Sequence, residues 1–242
     1  MKKNLFMYMA AFSLIGLSSC GDGEPSPTGE LTLEATANTS VNTGAGSANL
    51  RTTSGITITD FKINIREVEF DFDDKDDDSA DSVYKDIKLK GPFELDLVKD
   101  GTVVASTIGV AELPNAVYKE VEFKLHKGDV AGSEMYGKSI FIAGTIGNIP
   151  FELWHDTDEE FEINFKDQNG MAIQGEEVKA VINFNIGQLF SGMSNIDLSA
   201  ARDSDGDGII EIDPKGADDN KDIAHEVKEA LEDITDAIDD KD

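Results

Sequence analysis

Between Leu31 and Ile186 the chain repeats one pattern, in which apolar and polar residues alternate in short runs broken by turn residues. Side chains of an extended strand point alternately to opposite faces, so period-two alternation buries one face and leaves the other in water. Leu31 and Leu33 alternate with polar neighbours, as do Ile56 and Ile58, then Phe61, Ile63 and Ile65, then Val68, Phe70 and Phe72. The phase slips near Asp60 and again at Arg66-Glu67, which predicts bends or bulges. Val83, Ile87 and Leu89 continue the pattern, and Phe93, Leu95 and Leu97 lead through Lys99-Asp100-Gly101 into Val103 and Val104. Val121, Phe123 and Leu125 follow. Ile140, Ile142 and Ile146 face Ile149, Phe151 and Leu153 across Gly147-Asn148, and Phe161, Ile163 and Phe165 turn at Asn169-Gly170 into Val178, Ala180, Ile182, Phe184 and Ile186. Hairpin signals without helical segments between them predict a mainly β chain, an antiparallel β-sandwich of about 9 strands over residues 30–190.

The ends of the chain are built differently. Lys2 and Lys3 precede an apolar run from Leu5 to Leu17 that is too short for a spanning helix, which needs about 20 residues. A basic start, a short apolar stretch and small residues before a cut site are the marks of an export signal over residues 1–19. Leu17-Ser18-Ser19-Cys20 looks like a lipobox, which makes Cys20 the residue that takes the lipid and the anchor through which the chain holds a membrane. Residues 20–29, rich in Gly and Pro, read as a tether. Asp22 and Glu24 are similar to acidic signals of surface-exported lipoproteins, so the expected location is the outer membrane or the cell surface. Cys20 is also the single cysteine, so disulfides play no part in the mature domain.

The net charge of −28 becomes −30 once residues 1–19, with two lysines and no acid, are removed. Such a chain repels nucleic acid and anionic lipid surfaces and favours cations. Residues 191–219 read as an Asp/Gly-rich linker. Over residues 220–242, Ile223, Val227, Leu231, Ile234 and Ile238 recur at steps of three and four, which predicts an amphipathic C-terminal helix with Asp219 or Asn220 as its cap.

Two stretches carry a resemblance: SGITITDFKINIREVEFDFD from Ser54 to Asp73, and GPFELDLVKDGTVVASTIGVAELPNAVYKEVEFKL from Gly91 to Leu125. The hairpin run Phe93-Glu94-Leu95-Asp96-Leu97-Val98 and the turn Leu113-Pro114-Asn115-Ala116-Val117-Tyr118 resemble motifs of a Bacteroidetes-like family of lipoprotein β-sandwich domains of unknown function. The resemblance spans roughly residues 30–190. It implies a sandwich on a lipid tether and brings no activity with it.

The sharpest local motif is Asp203-Ser204-Asp205-Gly206-Asp207-Gly208-Ile209-Ile210-Glu211-Ile212-Asp213. Carboxylates at alternate positions converge on one ion when the chain curls, and Gly208 permits the sharp turn. The expected ligands are Asp203, Asp205, Asp207, the carbonyl of Ile209, Glu211 and Asp213, and the expected ion is calcium. Pro214 stands where a regular EF-hand places its bidentate Glu, so the site reads as a weak one that rigidifies the joint between sandwich and helix.

Other features give less. The acidic run Asp71–Asp81 lacks a turn glycine and fixed ligand spacing, and reads as a solvated loop. His126, His155 and His225 are scattered, with His225 on the exposed side of the terminal helix, and no shared metal role is expected. Trp154, in antiphase with Phe151 and Leu153, covers the second face of the sheet or offers a platform for a sugar ring. No serine elbow, phosphate loop or separable carboxylate pair singles out a catalytic residue, so the chain reads as a non-enzymatic binding or structural module of unknown ligand. The alternatives are a surface glycan-binding or adhesion module, with a glycan or a protein as partner, and a carboxylate-based hydrolase.

Overall fold

A computed structural model describes residues 27–39, 55–72, 87–165, 170–190 and 196–239. Among them lie thirteen strands: β1 (Thr28–Ala37), β2 (Ile56–Phe72), β3 (Ile87–Lys99), β4 (Thr102–Val103), β5 (Ser106–Pro114), β6 (Val117–Leu125), β7 (Ile140–Ile146), β8 (Ile149–His155), β9 (Glu160–Asn164), β10 (Met171–Ala172), β11 (Glu177–Phe184), β12 (Ile210–Ile212) and β13 (Thr235–Asp239). Two helices join them, α1 (Ile186–Leu189) and α2 (Lys221–Asp233), with a 3-10 turn at Leu198–Ala200.

The strands form a four-stranded sheet, ordered β13-β11-β1-β5, and a nine-stranded sheet built around β2. The mainly β, sandwich-like fold is therefore the one expected. The alternating residues of each sheet meet in a single core. Leu31, Leu33, Val178, Ala180 and Ile182 come from the smaller sheet, and Phe61, Ile63, Val121 and Phe123 from the larger one. Phe184 joins the layers, with its ring edge-on to Phe61 at 5.7 Å and to Phe123 at 5.8 Å between centroids.

Both predicted phase slips in β2 are bulges. Pairing with β7 shifts between Ile58 and Asp60, and pairing with both β3 and β6 shifts between Ile65 and Glu67. The second bulge leaves Arg66 exposed, so Phe61, Ile63 and Ile65 share the core with Val68 and Phe70 despite the odd spacing between them. Along one edge β2 pairs first with β7 and then with β6. The turn after β3 has Asp100 and Gly101 at φ 49° and 75°, the pair of left-handed residues that a tight two-residue hairpin demands. The Gly147-Asn148 hairpin joins β7 and β8 as expected. The Leu113–Tyr118 turn is a corner between sheets, since β5 lies in the smaller and β6 in the larger. The buried Tyr118 hydroxyl closes it by donating to the Pro114 carbonyl at 3.1 Å.

Three features depart from the expected layout. First, the sheets are not wholly antiparallel, because β1 pairs with β11 and β8 with β12 in parallel. Both pairings join distant segments, which period-two patterning cannot orient. Second, short strands raise the count. β4, β10 and β12 have two or three residues and hold their places by pairing with longer neighbours. Third, the terminal helix does not run over 220–242. It ends at Asp233, and Thr235–Asp239 pairs antiparallel with β11. Ile234 and Thr235 are β-branched, and the open edge of β11 offers a row of backbone partners that continued helix would forgo. Val227 and Leu231 of the predicted stripe are buried in the common core together with Ala224, which the stripe did not include, while Ile223 is half-buried.

Candidate metal site

The acidic loop follows the 3-10 turn at Leu198–Ala200 and leads into a strand anchored in the larger sheet. At its exit, Ile210 and Ile212 are buried and β12 lies parallel to β8, with Ile210 opposite Phe151 and Ile212 opposite Leu153. Within the loop each aspartate folds the backbone around itself. Asp203 accepts the N–H of Gly206 on Oδ1 at 2.6 Å and that of Gly208 on Oδ2 at 3.0 Å. Asp205 accepts from the N–H of Asp207 at 3.0 Å, and Asp207 from that of Ile209 at 2.9 Å. Gly208 has φ 97°, a conformation L side chains rarely adopt, although space around it is open. The curled chain brings one carboxylate oxygen of each of Asp203, Asp205 and Asp207 within 4.8 Å of the others.

Glu211 and Asp213 stand outside that group. Asp213 is buried, and its Oδ1 accepts the N–H groups of Lys215 at 2.6 Å and Gly216 at 2.7 Å, so it shapes the turn that follows β12. Glu211 has its pKa raised, first by burial and then by the charges of Asp207, Asp218, Asp205 and Asp213. The loop therefore gathers negative potential, which a cation relieves.

Two residues outside the expected ligand set, Asp218 and the cap candidate Asn220, hold the loop from behind. Asp218 Oδ1 accepts the N–H of Ser204 at 2.8 Å and of Asp205 at 3.2 Å, while Oδ2 accepts that of Glu211 at 2.8 Å. These backbone donors hold its carboxyl below the ordinary carboxylate range. Asn220 accepts the N–H of Arg202 at 3.1 Å and donates to the carbonyls of Arg202 and Glu211, both at 2.8 Å. Its side chain thus turns back to the loop. The signal was an Asp and an Asn placed just before a helix, which also fits a cap.

A second acidic group, Glu69, Glu122 and Glu160, lies across β2, β6 and β9 on the outer face of the larger sheet. It is already supplied with cations: Lys88 lies 2.6 Å from Glu69 and Lys124 lies 2.6 Å from Glu160. Among the described residues no lysine or arginine pairs with Asp203, Asp205 or Asp207, so the loop is the better place for an external ion. Glu122, which faces Glu69 and Glu162 in register, has its pKa pushed up to about 6 by burial and then by Glu160, Glu69, Glu162 and Glu120.

Trp154 is half-buried, and the Lys215 ammonium lies 4.9 Å from its ring centroid. One ring face is thus covered by a residue of the turn that leaves the acidic loop. The histidines are not all scattered. His126 Nδ1 lies 2.5 Å from Asp158, and His225 reaches from α2 to the buried His155, Nδ1 to Nε2 at 3.2 Å. The exposed placement expected for His225 fails because its side of α2 faces the end of β8. An open depression of about 270 Å³ lies where β1, β5 and the start of β11 meet, with Glu30, Glu112, Glu176 and Glu177 in its lining. Cys20 and most of the Asp71–Asp81 run lie outside the described residues.

Fold and site together define a mainly β protein, sandwich-like in its layering, with an acidic loop whose three carboxylates could hold a metal ion. Comparison with known proteins found no matching family model, no matching curated protein and no matching solved structure. Among the described residues no helix is long and apolar enough to cross a membrane.

Proposed function

We propose that this chain is a lipid-anchored extracytoplasmic binding or structural module, held to a membrane through Cys20 and stabilised by calcium in the loop Asp203–Asp213. The observation that carries the calcium reading is the convergence of Asp203, Asp205 and Asp207 without a lysine or arginine partner among the described residues. Hard carboxylate oxygens on a curled, glycine-permitted loop suit calcium, and the Ile209 carbonyl named by the spacing, with water, would supply further oxygens. Three converging side chains and no twelfth-position Glu correspond to an affinity on the order of 10⁻⁴ M, the range of extracellular modules. The ion would rigidify the stretch between the sandwich and α2. The lipobox-like sequence and the resemblance of residues 30–190 to lipoprotein sandwich domains support the anchored, exported location at the outer membrane or cell surface. Lys215 over Trp154 favours a structural role for that ring over a sugar platform.

The test is a calcium titration of residues 20–242 carrying Cys20→Ser, followed by calorimetry and thermal melting, beside the Asp205→Ala/Asp207→Ala variant. One-site binding that raises the melting temperature in the parent and does neither in the variant supports the reading; identical responses sink it. The anchor is tested separately in cells, where Cys20→Ala releases the protein from membranes. Continued membrane association of that variant would refute the lipid attachment.

A further inference from the structure

His155 is the last residue of β8, and only 7% of its surface is exposed. Its backbone carbonyl accepts from the Ser139 N–H at 2.7 Å and the Ser139 hydroxyl at 3.1 Å, which fixes the strand end against β7. Its ring meets that of His225 on α2, with centroids 5.3 Å apart and planes at 65°. His155 Nε2 and His225 Nδ1 stand 3.2 Å apart, and His155 Nδ1 is buried without a hydrogen-bond partner. Both rings are therefore committed to each other at the place where α2 meets the larger sheet.

A contact of this kind counts protons. With both rings neutral, one nitrogen donates its hydrogen to the other. With one proton added, the imidazolium still donates to the neutral ring. With two added, Nε2–H and Nδ1–H point at each other across 3.2 Å with no acceptor between them, and two like charges share a buried site. The surrounding charges are mixed. Lys228 on α2 opposes protonation of His155, and Asp156 and Glu159 from the segment after β8 favour it. Lys228 is itself held 2.6 Å from Glu159, and Asp222, Glu226 and Glu229 of α2 are exposed. Burial, and then His225, lower the pKa of His155 below the ordinary 6.5. Two imidazoles at this spacing could also grip a transition metal. Yet among the described residues no third His, Asp, Glu or Cys atom converges with them, and two donors make a poor site.

We infer that the His155–His225 contact is an acid-sensitive latch between β8 and α2, closed while the pair carries one added proton or none and released when it carries two. The folded pKa of His155 is depressed, so the unfolded chain binds more protons just below pH 6.5. Stability from this group is full above that pH and is lost as pH falls from there toward the folded pKa. Release would loosen α2, whose first turn follows directly on Asn220 and the acidic loop.

The measurement is amide hydrogen exchange of α2 against β11, corrected for intrinsic rates, on residues 20–242 carrying Cys20→Ser at pH 7.5 and pH 5.5, with EDTA present. Protection of α2 falls by about tenfold at the lower pH, the equivalent of one pKa unit of linkage, while β11 keeps its protection. His225→Gln, on the half-buried partner, retains a donor and an acceptor but no titration, and flattens the pH difference. Imidazole titration by NMR adds a readout that a purely packing role would not move: His155 takes its proton below pH 6.5, and above its wild-type value once His225 is Gln. Equal loss of protection in wild type and His225→Gln, or a His155 that titrates alike in both, overturns the latch. A pH response that appears only when EDTA is omitted would overturn it in favour of a metal.

Discussion

Asn220 Nδ2 donates to the Glu211 carbonyl at 2.8 Å, and the same side chain exchanges hydrogen bonds with the backbone N–H and C=O of Arg202. One buried amide therefore ties the entry of the acidic loop to the strand at its exit. Asn220→Ala leaves the part-buried Arg202 N–H and two carbonyl acceptors without this partner, at a cost of about 2–3 kcal/mol. That corresponds to a melting temperature lower by about 4–12 °C for a protein of this size. Calcium affinity should fall with it, because the loop ends lose their common tie. Thermal melting with and without calcium checks both, and an unchanged melting curve would refute the role given to Asn220.

Phe184 is the aromatic hinge between the two sheets, edge-on to Phe61 and to Phe123 and fully buried. Phe184→Ala opens a cavity that two rigid sheets cannot close, and costs about 3–5 kcal/mol. Chemical denaturation measures this directly. Phe184→Leu, which keeps most of the volume, should cost clearly less.

Gly144 sits in β7 opposite Ile58, beside the first bulge of β2, where an added Cβ would lie 1.8 Å from the Thr57 carbonyl oxygen. The obstacle is backbone, which cannot swing away. Gly144→Ala is therefore expected to cost about 3 kcal/mol and to lower the melting temperature by about 6–12 °C. The same change at Gly208, where space is open, strains only the local turn and should spare the sandwich.

Glu122 supplies a pH signature opposite in sign to that of His155. Its folded pKa of about 6 lies above the ordinary 4.5, so the folded protein binds more protons between these values and wild-type stability falls as pH rises through them. Glu122→Gln removes the charge. It should raise the melting temperature above pH 6 by about 1–3 °C, a modest gain because solvent screens the outer face of the sheet. The gain should vanish below pH 4.5. A variant less stable than wild type at pH 7.5 would contradict the like-charge crowding at this position.

Much of the sandwich was legible because burial on one face forces alternation. The slips at Asp60 and Arg66-Glu67 could be read as bulges because a one-residue insertion is the usual way to keep both sides of the break in one core. The Asp100-Gly101 and Gly147-Asn148 turns were legible because few residue pairs tolerate the required backbone. Three of the expected loop ligands, Asp203, Asp205 and Asp207, converge. Spacing alone could not separate them from Asp213, whose buried oxygen satisfies the turn at Lys215 and Gly216. Nor could it find Asp218, whose hydrogen bonds reach back across β12 to Ser204.

What the sequence determined by itself was local: which residues face a core, where the chain must turn, and which stretch of the chain gathers carboxylates on a curling loop. Tertiary structure decided the rest. It set β11 parallel to β1, ended α2 at Asp233 so that Thr235–Asp239 could complete a sheet edge, and placed His225 against His155. The physical reason is the range of the forces involved. Side-chain alternation and turn geometry act within a few residues. Strand direction, edge pairing and a contact between histidines from separate elements depend on where the whole core places its surfaces.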